Sequence, residues 1–156
     1  VLSVESLMKR DPVSVDAGAS VADAARRMCD ARVGAVLILE QGRLAGIFSE
    51  RDLLTRVVAE GRSPDKTPVS EVATRPVATA PAGASLRQCA ETLRDRGVRH
   101  LPIVDAGGKP VGVLSARDFF DAVAGGFERL IERIRYDEAL RANLDPYDHL
   151  GGGYGR

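Results

Sequence analysis

The chain has 156 residues in which 22 Lys and Arg balance 22 Asp and Glu, with no Trp, four Phe and three Tyr. A chain this long buries a core without staples, and neutral balance with few rings argues against a nucleic-acid partner, which needs a basic face or stacking platforms. Cys29 and Cys89 stand far from any Cys-x-x-Cys spacing and no apolar run approaches roughly 18 residues, so the expectation is two buried thiols in a cytoplasmic protein with no membrane partner.

Ser3 to Met8 fits a short helix, stopped at Asp11-Pro12 because the residue before proline is pushed out of the helical region. Val13-Ser14-Val15 reads as a minimal strand. Ser20 caps an amphipathic helix to about Ala31, with Val21, Ala24, Ala25 and Met28 at helical spacing. Ala35 to Leu39 is a strand-length apolar run, Gln41-Gly42 turns the chain, and Leu44 to Phe48 returns beside it as a hairpin. Ser49 caps a helix to about Glu60, ended by Gly61. Residues 62–68, with Pro64 and Pro68, read as a linker.

The second half repeats the first. Val69 to Ala73 matches Ser3 to Met8, and Val77-Ala78-Thr79 matches the short strand. Ser85 caps the helix to Arg96, Gly97 ends it, and Leu101 to Val104 with Val111 to Leu114 form the hairpin around Gly107-Gly108. Gly125-Gly126 reads as a break. After it Phe127, Leu130, Ile131 and Ile134 form the apolar edge of a further helix over 125–142, and the glycines from Gly151 onward mark 143–156 as a flexible tail. The expected division is repeat 1 over 1–61, linker 62–68, repeat 2 over 69–124, then the extra helix. Each repeat is too small for a secure core, so the two should pack together about a pseudo-twofold axis.

The closest internal match is Gly46 to Leu54 (Gly-Ile-Phe-Ser-Glu-Arg-Asp-Leu-Leu) with Gly112 to Phe120 (Gly-Val-Leu-Ser-Ala-Arg-Asp-Phe-Phe). In each copy a strand runs into a helix capped by serine, with Arg and Asp in its first turn. A helix N-terminus favours an anion, and hydroxyl, guanidinium and carboxylate together suit a phosphate beside a sugar diol. The plain alternative is a capping box, in which the aspartate reaches back to the cap amide. Ser20-x-x-Asp23 and Ser85-x-x-Gln88 start the other helices in that way. Gly46 and Gly112 add a further signal, since glycine inside a strand marks close approach of a ligand or of another backbone.

This grouping resembles the signature of the CBS (cystathionine-β-synthase-type) domain, in which a Gly-h-h-Ser/Thr-x-x-Asp run closes each copy, and two copies in tandem form a Bateman module. The resemblance covers residues 4 to 124. It implies an α/β (α+β) fold, each repeat a small three-stranded sheet with flanking helices. It also implies clefts for AMP, ADP, ATP or another adenosyl compound. Matched by position, Asp52 and Asp118 become ribose acceptors, while Ser49, Arg51, Ser115 and Arg117 become phosphate partners. Ser14 and Thr79 line the clefts from the short strands, and Val36, His100, Leu101 and Pro102 from the starts of the next strands. A homodimer and a regulated protein partner are expected on the same ground. His100 by itself reads as a half-buried strand residue. No catalytic arrangement and no metal-ligand cluster is assembled, so a regulatory module is expected rather than an enzyme. The alternative is a dimerising interaction module with vestigial pockets.

Overall fold

The computed structural model describes residues 2–142; the expected flexible tail, with Tyr147, His149 and Tyr154, lies outside the described residues. Two units divide the chain, residues 1–118 and 119–156.

In the first unit Ser3 caps α1 (Val4–Leu7), its hydroxyl accepting from the Ser6 amide. Strands β1 (Lys9–Arg10) and β2 (Ser14–Asp16) follow. Ser20 caps α2 (Val21–Ala31), which buries Val21, Ala24 and Met28 along one face. β3 (Ala35–Glu40) and β4 (Arg43–Ser49) form the hairpin. After the second repeat's β5 (Ala80–Pro81) and α4 (Leu86–Arg96), β6 (His100–Val104) and β7 (Pro110–Ser115) form the matching hairpin. Both hairpins carry a register shift in corresponding places, opposite Ile38/Leu39 and opposite Ile103/Val104.

The two repeats complete each other's sheets. β2-β3-β4 is one sheet and β1-β7-β6-β5 the other, so β1, from the start of the first repeat, pairs with the last strand of the second (Lys9 opposite Val113). Reciprocally, Thr74 from the start of the second repeat bridges Ile47 in β4. The same exchange builds the core. Val69, Val72 and Ala73 lie in one cluster with Val15, Val36, Ile38, Phe48 and Val57 of the first repeat. This crossing is what the strand glycines serve. A Cβ at Gly112 would lie 2.6 Å from Met8 Sδ and 2.9 Å from the Lys9 carbonyl; at Gly46 it would lie 3.3 Å from the Thr74 carbonyl. The close neighbours, side chain and backbone, belong to the other repeat's leading segment.

Four expectations are corrected. The second short strand is Ala80–Pro81, not Val77–Thr79. In the first repeat the Leu37 amide donates to the Val13 carbonyl at 2.9 Å. The residue matching Leu37 is Pro102, which has no N–H to give, so the ladder starts one bridge later, Ala80 opposite Ile103. The helix after Ser49 is one α-helical turn, α3 (Glu50–Asp52), continued as a π-helical stretch, Leu53–Val58. In this stretch the Arg56 guanidinium reaches the Val72 and Ala73 carbonyls at 3.3 and 3.0 Å. Cys29, expected as a buried thiol, is exposed, while Cys89 is buried. The expected linker, residues 62–68, is tied to α2: the Thr67 and Pro64 carbonyls accept from the Val21 and Ala22 amides at 2.9 and 3.0 Å, so this segment satisfies first-turn donors of that helix.

The fourth concerns the second unit. Helix α5 (Ala116–Arg141) runs through Gly125-Gly126 without a break. Each glycine costs about 1 kcal/mol relative to alanine in a helix, but neither adopts a positive φ, and the Arg, Glu, Leu and Ala flanking them carry the helix onward. Residues 119–141 bury no side chain fully. Among the described residues no helix is long and apolar enough to cross a membrane.

Candidate functional site

Both copies of the motif form a complete capping arrangement, because a strand that ends on serine presents its hydroxyl to the amide three residues on. Asp52 Oδ2 accepts from the Ser49 amide and hydroxyl, each at 3.0 Å. Asp118 Oδ2 accepts from the Ser115 amide at 3.1 Å and hydroxyl at 2.6 Å.

The second carboxylate oxygens differ. Asp52 Oδ1 accepts from the Thr74 hydroxyl at 3.1 Å and lies 3.6 Å from Arg56 Nε. With both oxygens occupied, Asp52 is only 7 % exposed. Asp118 is half-buried, and its Oδ1 has no partner among the described residues. The cause is in the sequence. The crossing segment brings Lys9 to the place matching Thr74, as the registers Lys9–Val113 and Thr74–Ile47 show, and Ala122 stands where Arg56 does in the first copy.

Asp118 opens into a cleft of about 860 Å³. Ser115, Arg117 and His100 line it too, with the crossing residues Lys9 to Val13, the α2 end from Ala25 to Arg32, and Gly34, Ala35 and Glu50. Five basic side chains (Lys9, Arg10, Arg32, Arg99, Arg117) meet three acidic ones (Asp11, Glu50, Asp118), so the cleft favours an anion. Burial lowers the pKa of His100, and the Glu50 and Asp118 carboxylates pull it partly back; at neutral pH the ring is uncharged. It closes on Gly34, where a Cβ would stand 3.3 Å from His100 Nε2.

The cleft thus gathers four of the expected residues: Ser115, Arg117, Asp118 and His100. Ser49 and Asp52 are held in the closed network, and Arg51 is exposed outside the cleft lining. Thr79 is exposed beside a smaller cavity of about 340 Å³ with Leu44, Val77 and Val104. Ser14 lines neither cavity; its carbonyl accepts from Arg27 at 3.3 Å. Val36 and Leu101, 1 % and 0 % exposed, belong to the core, and Pro102 is buried beside them. Strand alternation explains Val36 and Leu101: the first residue of each strand, Ala35 or His100, lines the cleft, so the second faces inward. Sequence reasoning missed Lys9, Arg10 and Arg99 on the cleft wall, and Thr74 and Arg56 on Asp52. For Lys9, Arg10 and Thr74 a signal was present, since the Lys-Arg and Thr-Arg pairs stand shortly before a proline in each repeat, but it needed the crossing to be read. Among the described residues no three His, Cys, Asp or Glu side chains gather as a metal site would require.

A tandem α/β repeat with exchanged leading segments and a serine-aspartate cap at each hairpin end defines the class. The family model for the CBS domain matches twice, over residues 4–59 and 69–125, and the chain belongs to that family as a tandem pair. It is 33% identical over 116 residues to CBS domain-containing protein YhcV of Bacillus subtilis, covering 74% of this chain and 81% of that one. It is 30% identical over 118 residues to an uncharacterized protein of Methanopyrus kandleri, 75% of this chain and 60% of that one. Against CBSCBSPB3 of Arabidopsis thaliana it is 31% identical over 155 residues, 97% of this chain but 27% of the plant protein, so it spans only part of the length of these two relatives. Among solved structures, a protein with CBS domains from Burkholderia ambifaria superposes with a TM-score of 0.73 at 30% identity, over 78% of this chain and 93% of that one. A CBS domain protein from Pyrobaculum aerophilum complexed with AMP gives 0.69 at 32% identity, over 75% and 89%.

Proposed function

We propose that the chain is a cytoplasmic ligand-sensing module that binds an adenine nucleotide, or a related adenosyl compound, at the Asp118 cleft and passes occupancy to a protein partner or a second subunit. The observation that carries this reading is the open Asp118 Oδ1 in a net-basic cleft. One carboxylate oxygen holds the helix cap while the other is left for a ribose hydroxyl. Arg117, Arg10, Arg99 and Lys9 neutralise a phosphate, and the uncharged His100 offers a wall for the base. The AMP complex of the Pyrobaculum protein supports the ligand class. Asp118 lies in the first turn of α5, so a ligand held there acts on that helix. It shifts the module only by binding one of two states more tightly. No reaction is assigned: Asp118 is engaged by the cap and, on this reading, by the diol.

The test is thermal unfolding with AMP, ADP, ATP and S-adenosylmethionine. A ligand at 100 times its dissociation constant adds about 2.7 kcal/mol, a rise of several degrees at roughly 2–4 °C per kcal/mol. A rise with one compound, absent in Asp118→Ala, supports sensing. No rise with any compound turns the reading to its rival, an interaction module with vestigial pockets, which the intact capping boxes in both copies favour.

A further inference from the structure

We propose that α5 pairs with the same helix of a second copy, parallel and in register, through a seam from Phe120 to Ile134. Phe120, Val123, Phe127, Leu130 and Ile134 follow one another at steps of three and four, the 3.5-residue repeat of a two-stranded supercoil. All five stand in solvent, at 72, 61, 63, 51 and 48 % exposure. The helix is continuous across this stretch, and Gly125 and Gly126 fall on its flank rather than in the seam.

Charge selects the occupant and its direction. Taking Phe120, Phe127 and Ile134 as position a, the g positions are Phe119, Gly126 and Arg133, and the e positions are Ala124, Ile131 and Glu138. Arg133 and Glu138 are exposed, and neither holds an ion pair among the described residues. In a parallel pair each g residue lies beside the following e residue of the other helix. Arg133 of each copy therefore meets Glu138 of the other, twice per dimer. In an antiparallel pair g meets g, and no carboxylate stands at any g position of this stretch. Asp137 and Arg141, the next d and a residues, would set like charges face to face, so the seam ends after Ile134. The outer face mixes Asp121, Glu128 and Glu132 with Arg129 and Arg135, which does not suit an anionic lipid surface. This inference specifies the subunit partner and stands independently of what the cleft binds.

Sedimentation equilibrium of the full chain should give twice its 16.6 kDa mass. Phe127→Glu should return the one-chain mass with the unfolding temperature of the isolated chain unchanged, because Phe127 is exposed. Arg133→Glu should weaken the dimer roughly tenfold, and adding Glu138→Arg should restore it. For direction, Ile134→Cys in a Cys29→Ser background should give a disulfide-linked dimer on mild oxidation. A one-chain mass for the unaltered protein at 100-micromolar-order concentration, a dimer that survives Phe127→Glu, or a dimer that Ile134→Cys does not cross-link would each overturn the proposal.

Discussion

Asp52 and Asp118 occupy the same position of the same motif, cap the same kind of helix and sit in sheets completed by the same exchange. They differ in two neighbours. Thr74 and Arg56 hold the outer oxygen of Asp52, while Lys9 and Ala122 stand at the matching places around Asp118. A hydroxyl and a guanidinium in reach close one site; a lysine on the wall and an alanine leave the other open. The motif alone therefore specifies a cap. On the proposed reading, whether it also serves a ligand turns on the residue the other repeat contributes, Thr74 or Lys9, and on Arg56 or Ala122 of its own helix.

The largest expected effect is on binding. Asp118→Ala should lower affinity for the responding nucleotide at least about 100-fold, as loss of a charge-assisted contact together with the cap geometry demands. Asp52→Ala should change it less than about threefold. Equilibrium titration of both variants checks this, and equal losses would erase the distinction between the sites.

On stability the order reverses. Asp52→Ala strands Thr74, Ser49 and Arg56 and should cost about 2–3 kcal/mol. Asp118→Ala removes only a half-exposed cap and should cost about 1 kcal/mol. Urea unfolding of the two variants without ligand measures the difference.

The crossings differ as well. Gly112→Ala drives a Cβ into the Lys9 carbonyl and Met8 sulfur and should cost about 1–3 kcal/mol. Gly46→Ala meets its nearest atom at 3.3 Å and should cost less than about 1 kcal/mol. Comparable losses would mean that the two exchanges are equally tight.

The smallest effect is pH-dependent. Burial holds the His100 pKa below its ordinary value of about 6.5, against the pull of Glu50 and Asp118 and with the help of Arg99 and Lys9. The unfolded chain takes up this proton first, so the contribution is fully present above about pH 6.5 and is lost as pH falls below that and through the lower folded-state value. His100→Gln should flatten part of the decline in unfolding temperature between about pH 6.5 and 5, and an unchanged slope would assign the decline to other groups.

Much of the fold was legible because the sequence repeats itself. Ser20, Ser85, Ser49 and Ser115 mark helix starts by hydrogen-bond chemistry that needs no tertiary context, and the apolar runs of β3 and β6 carry their own period. The exchange of leading segments was not legible, since Lys9-Arg10 and Thr74-Arg75 carry no apolar pattern that names their sheet. The misplacement of the second short strand has one cause: Pro102 removes a donor from a neighbouring strand, and a local reading of Val77 to Thr79 does not see it. The Gly125-Gly126 break was overread because two helix-weakening residues were weighed without the strong formers beside them. Of the motif residues, Ser115, Arg117 and Asp118 of the second copy line the cleft, and Ser49, Arg51 and Asp52 of the first do not. The basic wall at Asp118 draws on residues as distant in sequence as Lys9 and Arg10, and the latch on Asp52 includes Thr74 of the other repeat, so both become visible only once the strands pair.

The most direct test is a calorimetric titration of the full chain with AMP, read for stoichiometry. The account predicts one AMP per chain, lost in Asp118→Ala and kept in Asp52→Asn. Two per chain, or a single site that Asp52→Asn removes and Asp118→Ala leaves intact, would contradict it.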